Sequence, residues 1–162
     1  MRTKNASPTS AVAAIWLAAA LTVSGQEGGR TERAPLPEPT RVDVAYGDHP
    51  RHRLDFWRAK TNSPAPLVVF IHGGGWSVND KDALRANALQ AFSKAGISVA
   101  SINYRYVSQA PFPSSFHDAA RAVQFLRSKA DAWGIDPSRV AAYGNSAGGI
   151  MSLWLAFHDD RA

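Results

Sequence analysis

The 162-residue sequence predicts an α/β fold with a mostly parallel central sheet. Short runs of β-branched and aromatic residues alternate along the chain with segments whose apolar residues recur at helical spacing. One run, Leu67 to Ile71, is apolar throughout, which is typical of a strand buried on both faces. Strands separated by helices imply right-handed crossovers, and such crossovers place successive strands parallel to one another.

Five strands are expected in chain order. Val42 to Tyr46 and Leu54 to Trp57 flank a polar turn segment and predict a hairpin. The other three expected strands are Leu67 to Ile71, Ile97 to Tyr104 and Val140 to Tyr143.

Three helices are expected between and after these strands. Asp80 is a suitable N-cap for a helix from about Lys81 to Lys94, and Gly96 is a suitable stop for it. The second expected helix runs from Ser114 or Ser115 to Ala132. The third follows the serine and continues from Ile150 to Phe157.

The first 25 residues differ in character from the rest. Arg2 and Lys4 precede an apolar run, Ala11 to Val23, and small residues follow it. This pattern predicts a signal peptide, residues 1–25, and a secreted or periplasmic protein with no stable membrane anchor after cleavage. Residues 26–40 are rich in glycine, proline and charge, so we expect a flexible linker before the folded domain, 41–162.

The composition excludes several kinds of function. The formal net charge is +5, but no stripe of basic residues interleaves with aromatic ones, so we expect no nucleic-acid partner. The absence of cysteine excludes disulfides, a thiolate metal site and a cysteine nucleophile.

A short apolar strand runs into the sequence Gly-Asn-Ser-Ala-Gly at 144–148. This Gly-x-Ser-x-Gly pattern predicts a nucleophile elbow, a strained turn between a strand and a helix that projects the hydroxyl of Ser146 above the sheet. Gly144 and Gly148 are expected there because a Cβ atom at either position would collide with the neighbouring strand or helix.

A second glycine loop follows the strand that ends at Ile71. Its sequence is His-Gly-Gly-Gly-Trp at 72–76, and glycine lets the backbone N–H groups turn toward a substrate. We therefore expect an oxyanion hole formed by the N–H groups of Ala147 and of the loop, chiefly Gly74 and Gly75, with Gly73 as a further candidate. A phosphate-binding loop is a poor alternative because no Gly-Lys-Ser/Thr sequence is present.

These two loops, with the Asn-Tyr-Arg strand end at 103–105 and the Gly-Ile-Asp-Pro segment at 134–137, resemble the N-terminal half of an α/β-hydrolase esterase. The sequence is similar to hormone-sensitive-lipase-like and carbohydrate-esterase-like carboxylesterases. The resemblance implies an incomplete three-layer sandwich and hydrolysis of a small-molecule or carbohydrate-linked ester without metal or cofactor. It also implies that His72 supports the loop, and Trp76 is a candidate for bordering the acyl pocket.

One feature of that family is not met. In α/β-hydrolases the catalytic Asp or Glu and then the His follow the serine, and few residues follow Ser146. His158 is twelve positions further along the expected helix, about 18 Å away at 1.5 Å per residue. We therefore expect a truncated chain whose base and orienting carboxylate lie beyond Ala162, and a fragment that is nearly inert alone.

Two other functions stay open at this point. A peptidase or amidase of the same fold would use the same serine, although the His-Gly-Gly-Gly loop favours esters. A non-catalytic binding protein of the same fold would have little need for both an elbow and a glycine loop.

Overall fold

Five strands form one sheet in the computed structural model, which describes residues 34–158. The expected signal peptide and the first part of the expected linker lie outside the described residues. Residues 34–40 form no helix or strand, and Pro37 O accepts a hydrogen bond from Trp57 Nε1 at 2.8 Å. The strands are β1 (Arg41–Ala45), β2 (Arg53–Trp57), β3 (Ala65–Ile71), β4 (Ser98–Ile102) and β5 (Ile135–Gly144).

The sheet is mixed, so the prediction of a mostly parallel sheet was wrong. The strand order is β1-β2-β4-β3-β5. β3 pairs in parallel with both β4 and β5, but β2 pairs antiparallel with β1 and with β4. The short hairpin makes β1 and β2 antiparallel. The antiparallel pairing of β2 with β4 is a tertiary contact, and the apolar pattern of a strand does not encode the direction of its neighbours.

The helices are α1 (Ala86–Lys94), α2 (Ser114–Ser128), α3 (Ala130–Trp133) and α4 (Ala147–Phe157). The expected helix from Lys81 is split into a single 3₁₀ turn, Lys81–Ala83, and α1. Asp80 does not cap it, because its carboxylate accepts a hydrogen bond from Asn103 Nδ2 at 2.9 Å. Within the described chain, no helix has the length and apolar content needed to cross a membrane.

Alternate side chains of β3 enter two apolar clusters on opposite faces of the sheet. Val69 and Ile71 pack in the larger cluster with Leu126 of α2 and Met151 of α4. Phe70 packs in the smaller cluster, which includes Leu89 of α1, Leu84 and Val99. Helices therefore cover both faces, which gives the expected three layers.

The three parallel strands end side by side. Ile71 pairs with Ile102 of β4 and with Gly144 of β5, so all three chains leave the sheet at one edge. β5 begins at Ile135, five residues before the predicted strand, through a register irregularity opposite Ala65. This arrangement brings the loop after β3 beside the turn after β5.

Candidate active site

Ser146 occupies the turn between β5 and α4. Its backbone has φ 51° and ψ −124°, a conformation that side chains disfavour and that costs about 1–3 kcal/mol. The residue is exposed, and its hydroxyl hydrogen-bonds to no other residue of 34–158. The turn thus has the strained, outward-facing geometry that the Gly-x-Ser-x-Gly pattern predicts.

The two glycines of this turn lie against the end of β3. A Cβ atom on Gly144 would lie 2.3 Å from Ile71 O, and one on Gly148 would lie 1.9 Å from the same oxygen. Real Cβ atoms do not approach a carbonyl so closely, so neither position accepts a side chain without movement of the backbone. This confirms the steric reason given for both glycines.

The glycine loop is packed directly against the elbow. A Cβ atom on Gly73 would lie 2.8 Å from the backbone oxygen of Asn145, the residue before the serine. Gly74 and Gly75 have φ angles of 111° and 57°, and Gly74 O accepts hydrogen bonds from the backbone of Ser77 and Val78. The loop therefore turns sharply beside Ser146.

Backbone donors are available on both sides of this junction. Within residues 34–158, none of the N–H groups of Gly73, Gly74, Gly75 and Ala147 donates to another backbone carbonyl. Ala147 is the first residue of α4, where the helix dipole favours a negative charge. These donors have the character that an oxyanion site requires.

His72 is fully buried at the start of the loop. Its Nδ1 lies 2.7 Å from Gly73 O, and its Nε2 lies 3.4 Å from an Nη2 donor of Arg51. Its ring stacks on Tyr104 with centroids 4.2 Å apart, and Tyr104 donates a hydrogen bond to His72 O at 2.8 Å. Burial holds the pKa of His72 below its usual value. A neutral ring with both nitrogens engaged supports the loop and leaves no free base for Ser146.

Trp76 joins the end of the loop to two helices. Its Nε1 donates to Met151 Sδ of α4 at 3.2 Å, and its ring stacks on Phe116 of α2 with centroids 6.1 Å apart. Val107 N donates to Trp76 O at 2.9 Å. Trp76 is half-buried between these contacts.

A buried ionic cluster near the hairpin was missed. Asp118 is 1% exposed and accepts hydrogen bonds from the guanidinium and the backbone N–H of Arg105. His52 Nε2 lies 3.0 Å from Asp118 Oδ1. A histidine beside a polar turn is expected to be solvated, but His52, the residue after the hairpin turn, is buried against Asp118 of α2. Burial would raise the pKa of Asp118, but the hydrogen bonds from Arg105 hold it below its usual value.

None of the described histidines is hydrogen-bonded to Ser146. His158 follows the last residue of α4, at the opposite end of the helix from the serine, and its Nδ1 lies 3.1 Å from Trp154 O. His52 and His72 are engaged as described above. Residues 34–158 also contain no cluster of three or more His, Asp or Glu side chains that could hold a metal ion.

Comparison with known proteins confirms the resemblance read from the two loops. A family model described as BD-FAE matches residues 54–162. A carboxylesterase of Mycobacterium tuberculosis is 35% identical over 101 residues, which is 62% of this chain and 32% of that protein. An isoprenylcysteine alpha-carbonyl methylesterase of Arabidopsis thaliana is 34% identical over 109 residues, which is 67% of this chain and 25% of that protein.

A solved structure shows the same architecture. The truncated form of a carbohydrate esterase from gut microbiota superimposes with a TM-score of 0.64 at 32% identity, covering 69% of this chain and 41% of that one. The described sheet therefore matches part of a hydrolase fold. The chain spans about a quarter to a third of the length of the two curated relatives named above.

Proposed function

Because this chain belongs to the BD-FAE family of α/β-hydrolase esterases, we propose that it hydrolyses carboxylic esters through an acyl-enzyme on Ser146. One observation carries the proposal. An exposed, strained serine at a helix N-terminus lies beside a glycine loop that contacts the preceding residue, and the N–H groups on both sides donate to no backbone carbonyl within residues 34–158.

The chemistry follows from these groups. Ser146 Oγ attacks the ester carbonyl carbon while a general base takes its proton. The carbonyl oxygen becomes an oxyanion, which the N–H groups of Gly74, Gly75 and Ala147 stabilise, with Gly73 as a further donor. Collapse of this intermediate breaks the bond to the alcohol oxygen, which receives the proton from the base. Water then attacks the acyl-enzyme by the same route and releases the acid.

We infer that the base and its orienting carboxylate are supplied from outside residues 34–158. The support is that Ser146 has no hydrogen-bonded base within those residues, and that His72 and His52 have buried structural partners. Family members order the triad as serine, then acid, then histidine. The chain also spans only about a quarter to a third of the length of the two curated relatives named above, which supports a base outside the described residues.

The substrate class that we propose is a small or carbohydrate-linked acyl ester, met in a secreted or periplasmic compartment. The carbohydrate esterase whose structure this chain resembles supports the first part. The apolar run after Arg2 and Lys4 supports the second. An amidase would need the same serine, so matched ester and anilide substrates distinguish the two reactions.

Covalent labelling of Ser146 tests the proposal. A fluorophosphonate probe should label Ser146 stoichiometrically in the longest product of this reading frame, and Ser146→Ala should abolish labelling. Ser128→Ala, which removes an exposed hydroxyl at the end of α2, should leave labelling unchanged. A longer form that adds an Asp and then a His beyond Ala162 and still resists the probe would exclude the esterase function.

A further inference from the structure

Arg51, in the turn between β1 and β2, makes five contacts with one guanidinium group. Its Nε donates to Tyr104 O at 2.7 Å, and its Nη1 to Asp80 Oδ2 at 3.4 Å. Its Nη2 donates to Asn79 O at 3.2 Å and lies 3.4 Å from His72 Nε2. Its Cζ lies 3.8 Å from the ring centroid of Tyr106, so the group stacks on an aromatic face while it donates in its own plane.

These contacts reach both ends of the segment 72–80, which contains the glycine loop and joins β3 to the 3₁₀ turn. His72 begins this segment, and Asn79 and Asp80 end it. Asn79 closes the segment on itself, because its Nδ2 donates to Gly73 O at 3.3 Å. Asp80 is held in turn by Asn103, and the next residue, Lys81, donates its backbone N–H to Asn103 Oδ1 at 2.7 Å. Arg51 therefore bridges the two ends of the segment 72–80, within which the glycine loop lies.

Arg51 also selects the hydrogen-bonding form of His72. An arginine only donates, so the nitrogen that faces it must present a lone pair. His72 Nε2 is then the acceptor, and Nδ1 carries the proton that it donates to Gly73 O. The charged groups near this ring are Arg51 itself and Asp80. In the opposite tautomer, two donors would face each other at Nε2, and Nδ1 would present a lone pair to a carbonyl.

We propose that Arg51 is a positioning residue for the oxyanion loop: by clamping Asn79 and Asp80 and fixing His72 as the Nδ1–H tautomer, it aims the N–H groups of Gly74 and Gly75 at Ser146. This inference rests on the proposed function for its catalytic meaning. A lysine at this position keeps the charge but cannot stack and donate in a planar fork, so Arg51→Lys separates charge from geometry.

The first test is spectroscopic and does not require the protein to be catalytically active. Long-range proton–nitrogen spectra of the chain report the tautomer of His72, and selective labelling reports the amide signals of Gly74 and Gly75. We expect Nδ1–H in the wild type. In Arg51→Lys we expect a mixture of tautomers and displaced glycine signals. The matched control is Arg53→Lys, since Arg53 lies on the same hairpin and, within residues 34–158, its side chain donates only to Asp43 O, at 3.3 Å.

Each outcome decides the inference. An Nε2–H tautomer in the wild type would overturn it without any variant, which covers the case in which Arg51→Lys does not fold. Unchanged glycine signals in a folded Arg51→Lys would also overturn it. In a form that turns over p-nitrophenyl acetate, Arg51→Lys should lower kcat about 10- to 100-fold with KM nearly unchanged. If Ser146 resists labelling while the spectra respond as expected, the proposed function fails and the loop inference stands.

Discussion

The conformation of Ser146 depends on two residues that lack a side chain. Gly144 and Gly148 let the turn approach Ile71 O to distances that a Cβ atom would occupy. This contact holds the strained backbone of the serine, with φ 51°, in place. The hydroxyl is therefore exposed because the glycines two positions before and two positions after the serine pack against β3.

Gly148→Ala should destabilise the protein by about 1–3 kcal/mol or more, because its Cβ atom would meet Ile71 O at 1.9 Å and the strand or the turn would have to move. Chemical denaturation measures the change. Gly149→Ala is the matched control one residue further along α4. Its Cβ atom would lie 3.2 Å from the nearest atom, Gly144 O, and alanine favours a helix by about 0.5–1 kcal/mol. Equal effects of the two substitutions would show that the turn is not sterically tight.

The hairpin of β1 and β2 contributes to the site from the edge of the sheet. Its turn carries Arg51, which contacts the glycine loop, and it is followed by His52, which contacts Asp118 of α2. Arg105, in the segment after β4, completes this cluster with three guanidinium hydrogen bonds to Asp118, of 2.6, 2.9 and 3.1 Å. One buried carboxylate thus joins a hairpin, a loop and a helix.

Asp118→Asn should reduce the free energy of unfolding at pH 7 by about 1.5–3 kcal/mol, because the amide keeps the shape but loses the charged acceptor. The pKa of Asp118 is lowered in the folded protein. Its contribution is therefore complete above the ordinary aspartate pKa of about 3.9 and is lost as the pH falls through the folded-state value. The difference between wild type and D118N should be constant at neutral pH and shrink below about pH 4.

Urea unfolding at a series of pH values measures this difference. Asp131→Asn is the control, since Asp131 is exposed on α3. A gap between wild type and D118N that stays constant down to pH 3 would contradict the assignment of an ionised, buried Asp118.

At the scale of the whole molecule, the edge of the sheet formed by β5 lies beside an exposed apolar helix face. β5 is the last strand in the order, and its outer edge pairs with no strand of residues 34–158. Beside it, α4 exposes apolar side chains: Ile150 is 51% exposed and Leu153 46%. An unpaired strand next to an apolar helix face favours association with other chains.

The 162-residue chain should therefore self-associate at micromolar concentration through this surface. The double variant I150E/L153K, which leaves the net charge unchanged, should weaken association at least about tenfold, which is about 1.4 kcal/mol. Sedimentation velocity measures it. The control V42K/V107E alters two valines elsewhere on the surface, 60% and 45% exposed, and should have no such effect. A monomeric wild type with a sharp, cooperative melt would contradict the prediction.

Local sequence was sufficient to predict the structure where a backbone position accepts only one residue type. The elbow and the glycine loop were predictable because a tight turn needs glycine at fixed offsets from the serine, and the apolar run before each loop marked β3 and β5. The helix expected from Lys81 was wrong at its start, because Asp80 and Lys81 bond to Asn103 instead of capping a helix.

By itself the sequence was sufficient to predict the strained turn at Ser146, the glycine loop packed against it, the five strands in chain order, and the membership of the esterase family. Only the tertiary structure decided the antiparallel pairing of β2 with β4, the burial of His52, and the bridge that Arg51 makes across the glycine loop. The physical reason is the distance along the chain. Turn chemistry and apolar periodicity act between near neighbours, whereas these features join residues 21 to 66 positions apart, whose contacts exist only once the sheet has formed.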